Sequence, residues 1–405
     1  SNLKFRASWG QLGNENALGK YDFLARIASY NDMYMGYVQG AGSNPWTGSI
    51  ARALENRSLK WETTDTKNIG FDFGLFGNHL NGNINYYINE TRDLLITRRI
   101  APSAGLDNPT LNVGKMRNQG FELELNWNDK ISDFEYNVGF NISTIANKVV
   151  ALANEDQTIY GVGLKYGTEH FPTQTKVGKP IGAFYLYQAD GIFQSLEEVQ
   201  AHKNSKGELL QPNAQPGDVR FKDMNGDGVI DEDDKTYSGT GIAKVEANLN
   251  LGASYKGFDF SAVIGSAFGN KLYNGIRYYY EGMNSGSNFL KTTLNAWTPT
   301  NTKTDIPRAV FGDPNQNTRE STRFLENGDL VRLRQVQVGY TLPKALSKHI
   351  YCESIRFYVS AENVFTITGY SGANPEFSQG VLNSGVDRFT YPFSRSYTVG
   401  AQVSF

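Results

Sequence analysis

Large apolar and polar residues alternate along many segments of this chain. In the stretch FELELNW, which begins at Phe121, large apolar residues fill every second position. A period of two places the two sets of side chains on opposite faces of a β-strand, one dry and one wet. Both a β-sandwich and a membrane β-barrel give this pattern. It returns in KFRASWG from Lys4, NIGFDFGLF from Asn68, YNVGFNIS from Tyr136, ANLNLGASY from Ala247, FDFSAVIG from Phe258, VQVGYTL from Val336, IRFYVSAENVF from Ile355 and SYTVGAQVSF from Ser396.

The lengths of the connections separate these two folds. Short turns near Gly77, Asp129, Lys256 and Pro343 alternate with five long connections. Outer-membrane barrels sort their loops by end in this way, whereas a sandwich has no reason to do so. We therefore predict an all-β fold, a transmembrane antiparallel β-barrel. The predicted strands are 4–12, 67–77, 82–93, 118–128, 134–145, 246–256, 258–270, 331–342, 355–366 and 394–405, and the long connections are 13–66, 94–117, 146–245, 271–330 and 367–393.

The direction of the last strand predicts the topology. If Phe405 ends that strand in the periplasm, the preceding strands alternate in direction and every long connection lies outside the cell. The predicted location is thus the outer membrane, with the 146–245 connection as an extracellular insertion.

Composition narrows the function. The 405 residues include 42 Gly, 23 Tyr and 24 Phe, which suits a turn-rich β-protein. A net charge of −2 gives no basis for binding nucleic acid. Cys352 is the single cysteine of the sequence, which excludes an intrachain disulfide and a cysteine metal cluster.

Catalytic motifs such as GxSxG or a P-loop are absent from the sequence, and we expect no enzymatic activity. Glu122 and Glu124 share one strand face, as a glycosidase pair would. On a barrel strand, however, that face is the wet interior, where acidic residues need no catalytic role. Tyr278, Tyr279 and Tyr280 are expected to pack within a long connection or, alternatively, to stack on a ligand.

The stretch DMNGDGVIDEDD, residues 223–234, has the residue order of an EF-hand calcium loop. Such loops take oxygen ligands from positions 1, 3, 5, 7, 9 and 12 and have Gly at position 6, here Gly228. Pro and Gly flank the stretch where an EF-hand has helices, so we predict a structural calcium ion in a loop of another fold. The alternative is an acidic turn that binds no ion. The predicted ligands are Asp223, Asn225, Asp227, the carbonyl of Val229, Asp231 and Asp234.

Longer motifs occur in a fixed order along nearly the whole chain. They are LKFRASWGQLGN from Leu3, LKWETTDTKNIGFDFGLF from Leu59, NVGKMRNQGFELELNW from Asn112, VGKPIGAFYLYQADGIFQ from Val177, PGDVRFKDMNGDGVIDEDD from Pro216, GDLVRLRQVQVGYTLP from Gly328, RFYVSAENVFTITGYSGANPE from Arg356 and SRSYTVGAQVSF from Ser394. Together they resemble the C-terminal barrel portion of SusC/RagA-like TonB-dependent outer-membrane transporters of Bacteroidetes.

This resemblance implies a 22-stranded barrel with an N-terminal plug that the TonB complex moves. It also implies a SusD-like surface lipoprotein that closes the barrel as a lid, and a glycan or oligopeptide as cargo. We expect the present residues 1–405 to be the C-terminal ten strands of that barrel, with the plug and first strands supplied by a preceding segment. The sequence identifies no substrate-binding residue.

A second hypothesis is a secreted, calcium-stabilised β-protein, such as a glycan-binding module or an adhesin. It would carry out no transport. The two hypotheses differ in what covers the large apolar side chains, because a soluble protein must bury them against a second sheet.

Overall fold

The fold is an antiparallel meander of ten long strands. The computed structural model describes residues 2–15, 18, 21, 23–25, 27–30, 48–51, 55–97, 100–112, 114–152, 158–166, 168–284, 286, 288–349, 351–377 and 379–405. Each strand pairs with its neighbours in the chain, in the order β1 to β10. The strands are β1 Asn2–Asn14, β2 Glu62–Leu75, β3 Leu80–Arg92, β4 Gly114–Ile131, β5 Phe134–Thr144, β6 Val245–Tyr255, β7 Phe258–Phe268, β8 Leu330–Thr341, β9 Ser354–Thr368 and β10 Ser396–Ser404.

All ten predicted strands are present, so the predicted fold class is confirmed. Their lengths, up to 18 residues in β4, suit tilted membrane strands better than the short strands of a soluble sandwich. The sheet is open in the described part of the chain, where β1 and β10 each pair on one side only.

The short turns all lie at one end of the sheet. Lys256 and Gly257 join β6 to β7 with φ values of 46° and 89°, as a two-residue hairpin of the type favoured by strand twist requires. Phe76–Asn78 joins β2 to β3, and the helix Lys344–His349 lies between β8 and β9. The long connections leave from the other end, as the sequence predicts.

One face of the sheet is an apolar belt. Phe5, Phe71, Ile84, Leu123 and Ile142 lie opposite one another in register across β1 to β5. On an antiparallel ladder, residues in register point to the same face.

The belt continues to the last strand. Phe260, Val338, Val359 and Val399 are in register across β7 to β10. Val338 and Val359 belong to interior strands, yet they are 50% and 55% exposed. In the described part of the chain, no second sheet therefore covers this face, whereas a sandwich would have one there.

The long connections carry short elements of their own. The first one, predicted as 13–66, falls partly outside the described residues. The short strands pair as Ile27–Tyr30 with Gly48–Ala51, Leu95–Thr97 with Thr110–Asn112, Leu164–Tyr166 with Thr168–His170 and Ala189–Ile192 with Val219–Phe221. Two small sheets join Ile159–Tyr160, Thr173–Thr175, Ala183–Leu186 and Thr236–Gly239, and Leu325–Asn327, Lys271–Asn274 and Val386–Asp387. Helices are Leu196–Ala201 and Gly275–Tyr280, with 3-10 turns at Pro102–Ala104, Glu232–Asp234, Lys291–Asn295, Thr322–Phe324 and Val381–Asn383.

The connection between β5 and β6 begins as a strand. Residues Ala146–Leu152 pair with the first part of β4 and so prolong the wall beyond β5. Among the described residues, none of the helices has the length and apolar character needed to cross a membrane.

Candidate functional site

The face opposite the belt is a continuous polar wall. Asp72, Asn83, Glu124, Asn141 and Asn248 are in register across β2 to β6. Glu124 accepts a hydrogen bond from Asn83 at 2.9 Å, and Asn248 donates one to Asn141 at 2.9 Å. Amide and carboxylate side chains on neighbouring strands thus form hydrogen bonds with one another. A face that consists of such polar side chains is suited to contact with water.

The two glutamates considered for catalysis both lie on this wall. Glu124 Oε1 accepts a second hydrogen bond, from Asn126 Nδ2 at 2.9 Å, and Glu122 lies in register with Asn85. Glu124 therefore serves as an acceptor for amide side chains on its own and the adjacent strand. This arrangement accounts for its carboxylate without a catalytic role.

Two arginines near the start of β8 extend the polar wall toward the end of the sheet from which the long connections leave. Arg332 Nη1 lies 2.6 Å from Glu376 Oε2, and Arg334 Nη2 lies 2.6 Å from Glu376 Oε1. Glu376 belongs to the connection between β9 and β10. A Cβ at Gly265 would lie 2.2 Å from Arg334 Nε, so glycine is needed there for Arg334 to lie across the wall. One carboxylate thus ties the last long connection to the polar face.

The sequence analysis did not single out these arginines. The sequence LVRLRQV, in which Arg332 and Arg334 alternate with apolar residues, could have indicated that both arginines lie on the polar face of the strand. Their shared partner could not be predicted, because Glu376 is 42 residues away from Arg334.

Three long connections pack together into one body, which we call the cap (residues 158–244, 269–329 and 369–393, where described). Its central core takes residues from all three connections, and the core members are nearly or fully buried. The connection from β5 to β6 supplies Leu164, Phe184 and Leu186; the next supplies Tyr273, Tyr278 and Phe324; the last supplies Val386. The cap is therefore a folded unit and not a set of separate loops.

The tyrosines at 278–280 mostly belong to this core. Tyr278 is 1% exposed, and burial raises the pKa of its phenol. Tyr280 is 38% exposed, and its ring packs against Phe389 with centroids 5.7 Å apart. Of the two expectations for these residues, packing within the connections describes Tyr278.

A cavity of about 470 Å³ opens in the cap beside a buried ion-pair cluster. Lys235 Nζ lies 2.5 Å from Glu320 Oε1, and both side chains are 4% exposed. His170 also contacts the Glu320 carboxylate. Burial raises the pKa of Glu320, but the hydrogen bonds and charges of His170 and Lys235 outweigh this effect and hold the pKa below its ordinary value. Glu320 is therefore a buried, ionised anchor.

A second cavity of about 760 Å³ lies beside the helix Gly275–Tyr280. Arg277 contacts Glu281 at 2.9 Å and Glu326 at 3.1 Å, and Arg323 Nη2 contacts Glu281 at 3.1 Å. Burial lowers the pKa of the Arg323 guanidinium to about 10, although the negative charge of Glu281 acts to raise it. These pairs fasten the helix to the strand Leu325–Asn327.

The predicted calcium loop forms a compact turn at the surface of the cap. Asp223 accepts hydrogen bonds from the backbone N–H groups of Gly226 at 2.6 Å and Gly228 at 2.9 Å. Asp227 accepts from the N–H of Val229 at 2.9 Å, and Asn225 Oδ1 accepts from the N–H of Asp227 at 2.9 Å. These oxygens are thus turned toward the loop's own backbone.

Asp234 is the anchor of the loop. It is fully buried and accepts from the N–H groups of Met224 at 2.6 Å and Asp231 at 2.8 Å. The oxygen-only ligand set suits a hard cation such as calcium. In the described residues, however, no group of three or more His, Cys, Asp or Glu side chains converges at metal-binding distance. The loop is closed here by amide hydrogen bonds, and the predicted ligands would have to turn inward to share an ion.

Known proteins match both the sequence and the fold. The family model described as TonB dependent receptor-like, beta-barrel matches residues 1–364. TonB-dependent receptor P3 of Formosa agariphila is 29% identical over 99% of this chain and 39% of its own length. TonB-dependent receptor SusC of Bacteroides thetaiotaomicron is 27% identical over 100% of this chain and 38% of its own length.

Solved structures agree. The RagAB peptide transporter superimposes with a TM-score of 0.78 at 25% identity, covering 100% of this chain and 41% of that one. The chain thus spans about two-fifths of the length of the relatives it matches. The ten-strand meander, its bare apolar belt, the polar wall and these matches confirm the resemblance predicted from the motifs. The chain belongs to the TonB-dependent receptor-like β-barrel family, whose members are integral to the outer membrane.

Proposed function

We propose that this chain forms part of the barrel wall of a TonB-dependent importer of glycans or oligopeptides. One observation carries the proposal: a single sheet has a bare apolar belt on one face and a hydrogen-bonded polar wall on the other. Such a sheet separates hydrocarbon from an aqueous passage. The oligopeptide class is suggested by the RagAB structure, which is described as a peptide transporter, and the glycan class is what the resemblance of the motifs to SusC-like transporters implies.

The orientation is part of the proposal. The cap faces the cell exterior, the short turns and the C-terminal end of β10 face the periplasm, and a SusD-like lipoprotein closes over the cap. The edges of β1 and β10 pair with further strands of the same barrel, because an unpaired edge in lipid would leave backbone groups without hydrogen bonds, at several kcal/mol each. A plug that responds to the TonB complex completes the importer.

We also propose that the 223–234 loop binds calcium as a structural ion. The order of oxygen-bearing residues supports this, and millimolar external calcium would suit a weak site of about 10⁻⁴ to 10⁻³ M. An ion drawn into the loop would neutralise the carboxylates of Asp223, Asp227 and Asp231.

Uptake by cells tests the proposed transport. A strain lacking the gene is supplied with labelled oligosaccharides and oligopeptides, with and without the full-length protein restored. We expect restored accumulation of one of the two classes, dependent on TonB, together with co-purification of a surface lipoprotein. Recovery of the full-length protein in the detergent-free soluble fraction, with no change in uptake, would overturn the proposal and favour the secreted β-protein.

A further inference from the structure

The polar wall has an excess of positive charge near the start of β8. Two other arginines of the wall each have an aspartate of their own: Arg6 Nη2 lies 2.7 Å from Asp72 Oδ1, and Arg356 Nη2 lies 2.5 Å from Asp259 Oδ2. One carboxylate thus neutralises each of these guanidinium groups. The two arginines of β8 differ, because they share the single carboxylate of Glu376.

A third arginine lies beside this pair. A cavity of about 220 Å³ opens against the wall, between the ends of β8 and β9 and the residues that precede β10. Arg332 and Arg395 both line it, and no Asp or Glu is among its described lining residues. Arg395 is exposed, and in the described part of the chain no ion pair neutralises it. Three guanidinium groups and one carboxylate therefore lie in this region.

A β-bulge sets the position of Arg334. The register between β8 and β9 shifts between Leu333 and Gln335, so Arg334 is an extra residue in β8. The register with β7 shifts at the same level, and Asn363 on β9 has a φ of 51°. Bulges redirect side chains and are frequent at barrel rims and beside functional sites. This bulge adds a second arginine to the polar face within three residues.

Arg332 is held in one orientation by its neighbours. Its Nε donates to Thr366 Oγ1 at 2.7 Å, and its Nη2 donates to Asn374 Oδ1 at 3.3 Å. Its guanidinium lies 4.6 Å from the centroid of the Phe393 ring. A group that is already ordered loses little further entropy when a ligand binds. The planar guanidinium also matches a carboxylate in charge and in the geometry of its donors.

Glu376, the present partner of the β8 arginines, belongs to the cap and not to the wall. Its Oε1 contacts Arg334 and its Oε2 contacts Arg332. The Arg334 side chain is 42% exposed and that of Glu376 is 23% exposed, so solutes can reach this pair. Ion pairs with this degree of exposure contribute little to stability. A second carboxylate can therefore replace Glu376 on Arg334 at a small cost in free energy.

From this arrangement, we propose that the arginine cluster, defined as Arg332, Arg334 and Arg395, is a subsite that binds a carboxylate group of the cargo. The carboxylate comes from an oligopeptide or from a uronic acid of a glycan. It takes the place of Glu376 on Arg334 and lies beside Arg395 at the cavity. Glu376 is then an internal competitor, whose release frees the last connection from the wall. The inference rests on the proposed function, because it requires the polar wall to face the passage.

Paired acidic and neutral ligands test the proposal on the purified full-length protein in detergent. One arm uses oligopeptides of Ala, Ser and Leu that end in a free carboxylate or in an amide. The other arm uses oligogalacturonides or their methyl esters, and native mass spectrometry counts the bound ligand. In the arm that matches the cargo, we expect the acid form to bind about tenfold more tightly than the neutral form, with weaker binding at high salt. Equal retention of acid and neutral forms in both arms, including retention of neither, would overturn the proposal.

Two variants should change the same measurement in opposite directions. Arg334→Gln removes one guanidinium, and we expect the acid form to bind about tenfold more weakly. Glu376→Gln removes the competing charge, so the acid form should bind more tightly, because apparent affinity rises with the fraction of sites that are free. Unchanged or weaker binding of the acid form in Glu376→Gln would mean that Glu376 is only a structural tie. Arg356→Gln, at the turn end of the wall, is the control and should bind as the wild type does.

Hydrogen exchange provides a second measurement on the wild-type protein. The acid ligand should speed exchange at residues 369–377, because it displaces Glu376, whereas the neutral ligand should not. Unchanged exchange with bound acid ligand would contradict the displacement. Uptake assays report separately on the importer: uptake without preference for the acid form would overturn the subsite alone. Preferential binding of the acid form by a protein that imports nothing would overturn the importer alone.

Discussion

Arg308 holds the carboxylate of Asp218 with two hydrogen bonds, from Nε to Oδ1 at 2.8 Å and from Nη2 to Oδ2 at 3.1 Å. Asp218 is completely buried, and the two residues belong to different long connections. The same carboxylate accepts hydrogen bonds from Asn317 Nδ2 at 3.0 Å and from the N–H of Gln215 at 2.8 Å. One side chain thus fastens two parts of the cap.

Replacing Asp218 by Ala should loosen the cap and leave the membrane strands folded. The change leaves the partly buried Arg308 guanidinium without its carboxylate partner and removes the hydrogen-bond acceptor for Asn317. We therefore expect the cap to lose about 3–5 kcal/mol of stability. Hydrogen exchange at residues 215–221 and 306–318 measures the effect. Glu135→Gln, in an exposed pair with Lys130 at the turn end, is the control and should change nothing measurable in the cap. Wild-type exchange rates in Asp218→Ala would contradict the structural role.

Asp227→Ala should abolish calcium binding to the 223–234 loop while the sheet stays folded. The change removes a proposed ligand that now accepts a hydrogen bond from the N–H of Val229 at 2.9 Å. Calorimetric titration with calcium measures the loss, and Asp223→Ala should behave in the same way. Asp233→Asn, which alters a carboxylate outside the proposed ligand set, is the matched control. If wild-type protein binds no calcium at millimolar concentrations, the loop is an ion-free turn closed by its amides.

Acid should weaken the cap through Glu320. Its pKa is lower in the folded protein than the ordinary value of 4.5, so its stabilising contribution is complete above that value. The contribution is lost as the pH falls through the lower, folded pKa. Thermal unfolding of the cap between about pH 6 and about pH 3 should show this loss in the wild type and a flatter profile in Glu320→Gln. The same acid dependence in both proteins would exclude Glu320 as its source; Glu353→Gln, at the opposite end, is the control.

Gly120→Ala should disturb the wall where Ala146–Leu152 continues from β5. A Cβ at this position would lie 1.7 Å from the backbone oxygen of Thr144, which also accepts a hydrogen bond from Tyr87 at 3.1 Å. We expect a cost of about 1–3 kcal/mol as the strands separate to make room. Urea unfolding in detergent measures it. Gly10→Ala on β1, where a Cβ meets no atom within 4 Å, should be tolerated; equal stability of both variants would contradict the steric argument.

The ten strands could be predicted because alternation is a local property of the sequence. The largest error in length has a physical reason: β4 was predicted as 118–128 but spans Gly114–Ile131. Its outward positions near the start hold Lys115 and Arg117, which interrupt the apolar period although the strand continues.

The cap could not be predicted in the same way. Asp218 and Arg308 are 90 residues apart, and nothing near either residue in the sequence indicates the other. The strand Lys271–Asn274 pairs in parallel with Val386–Asp387 from another connection, which only the folded arrangement of the wall makes possible. The residue order of the calcium loop was evident from the sequence, but the direction in which its carboxylates point was not.

The common core of Leu164, Tyr273 and Val386, drawn from three connections, restricts how such a protein can be re-engineered. Grafting a single connection from a homologue would leave apolar side chains of the other two facing mismatched neighbours. Chimeras intended to change cargo therefore need to exchange all three connections at once, and natural divergence at this surface is subject to the same condition.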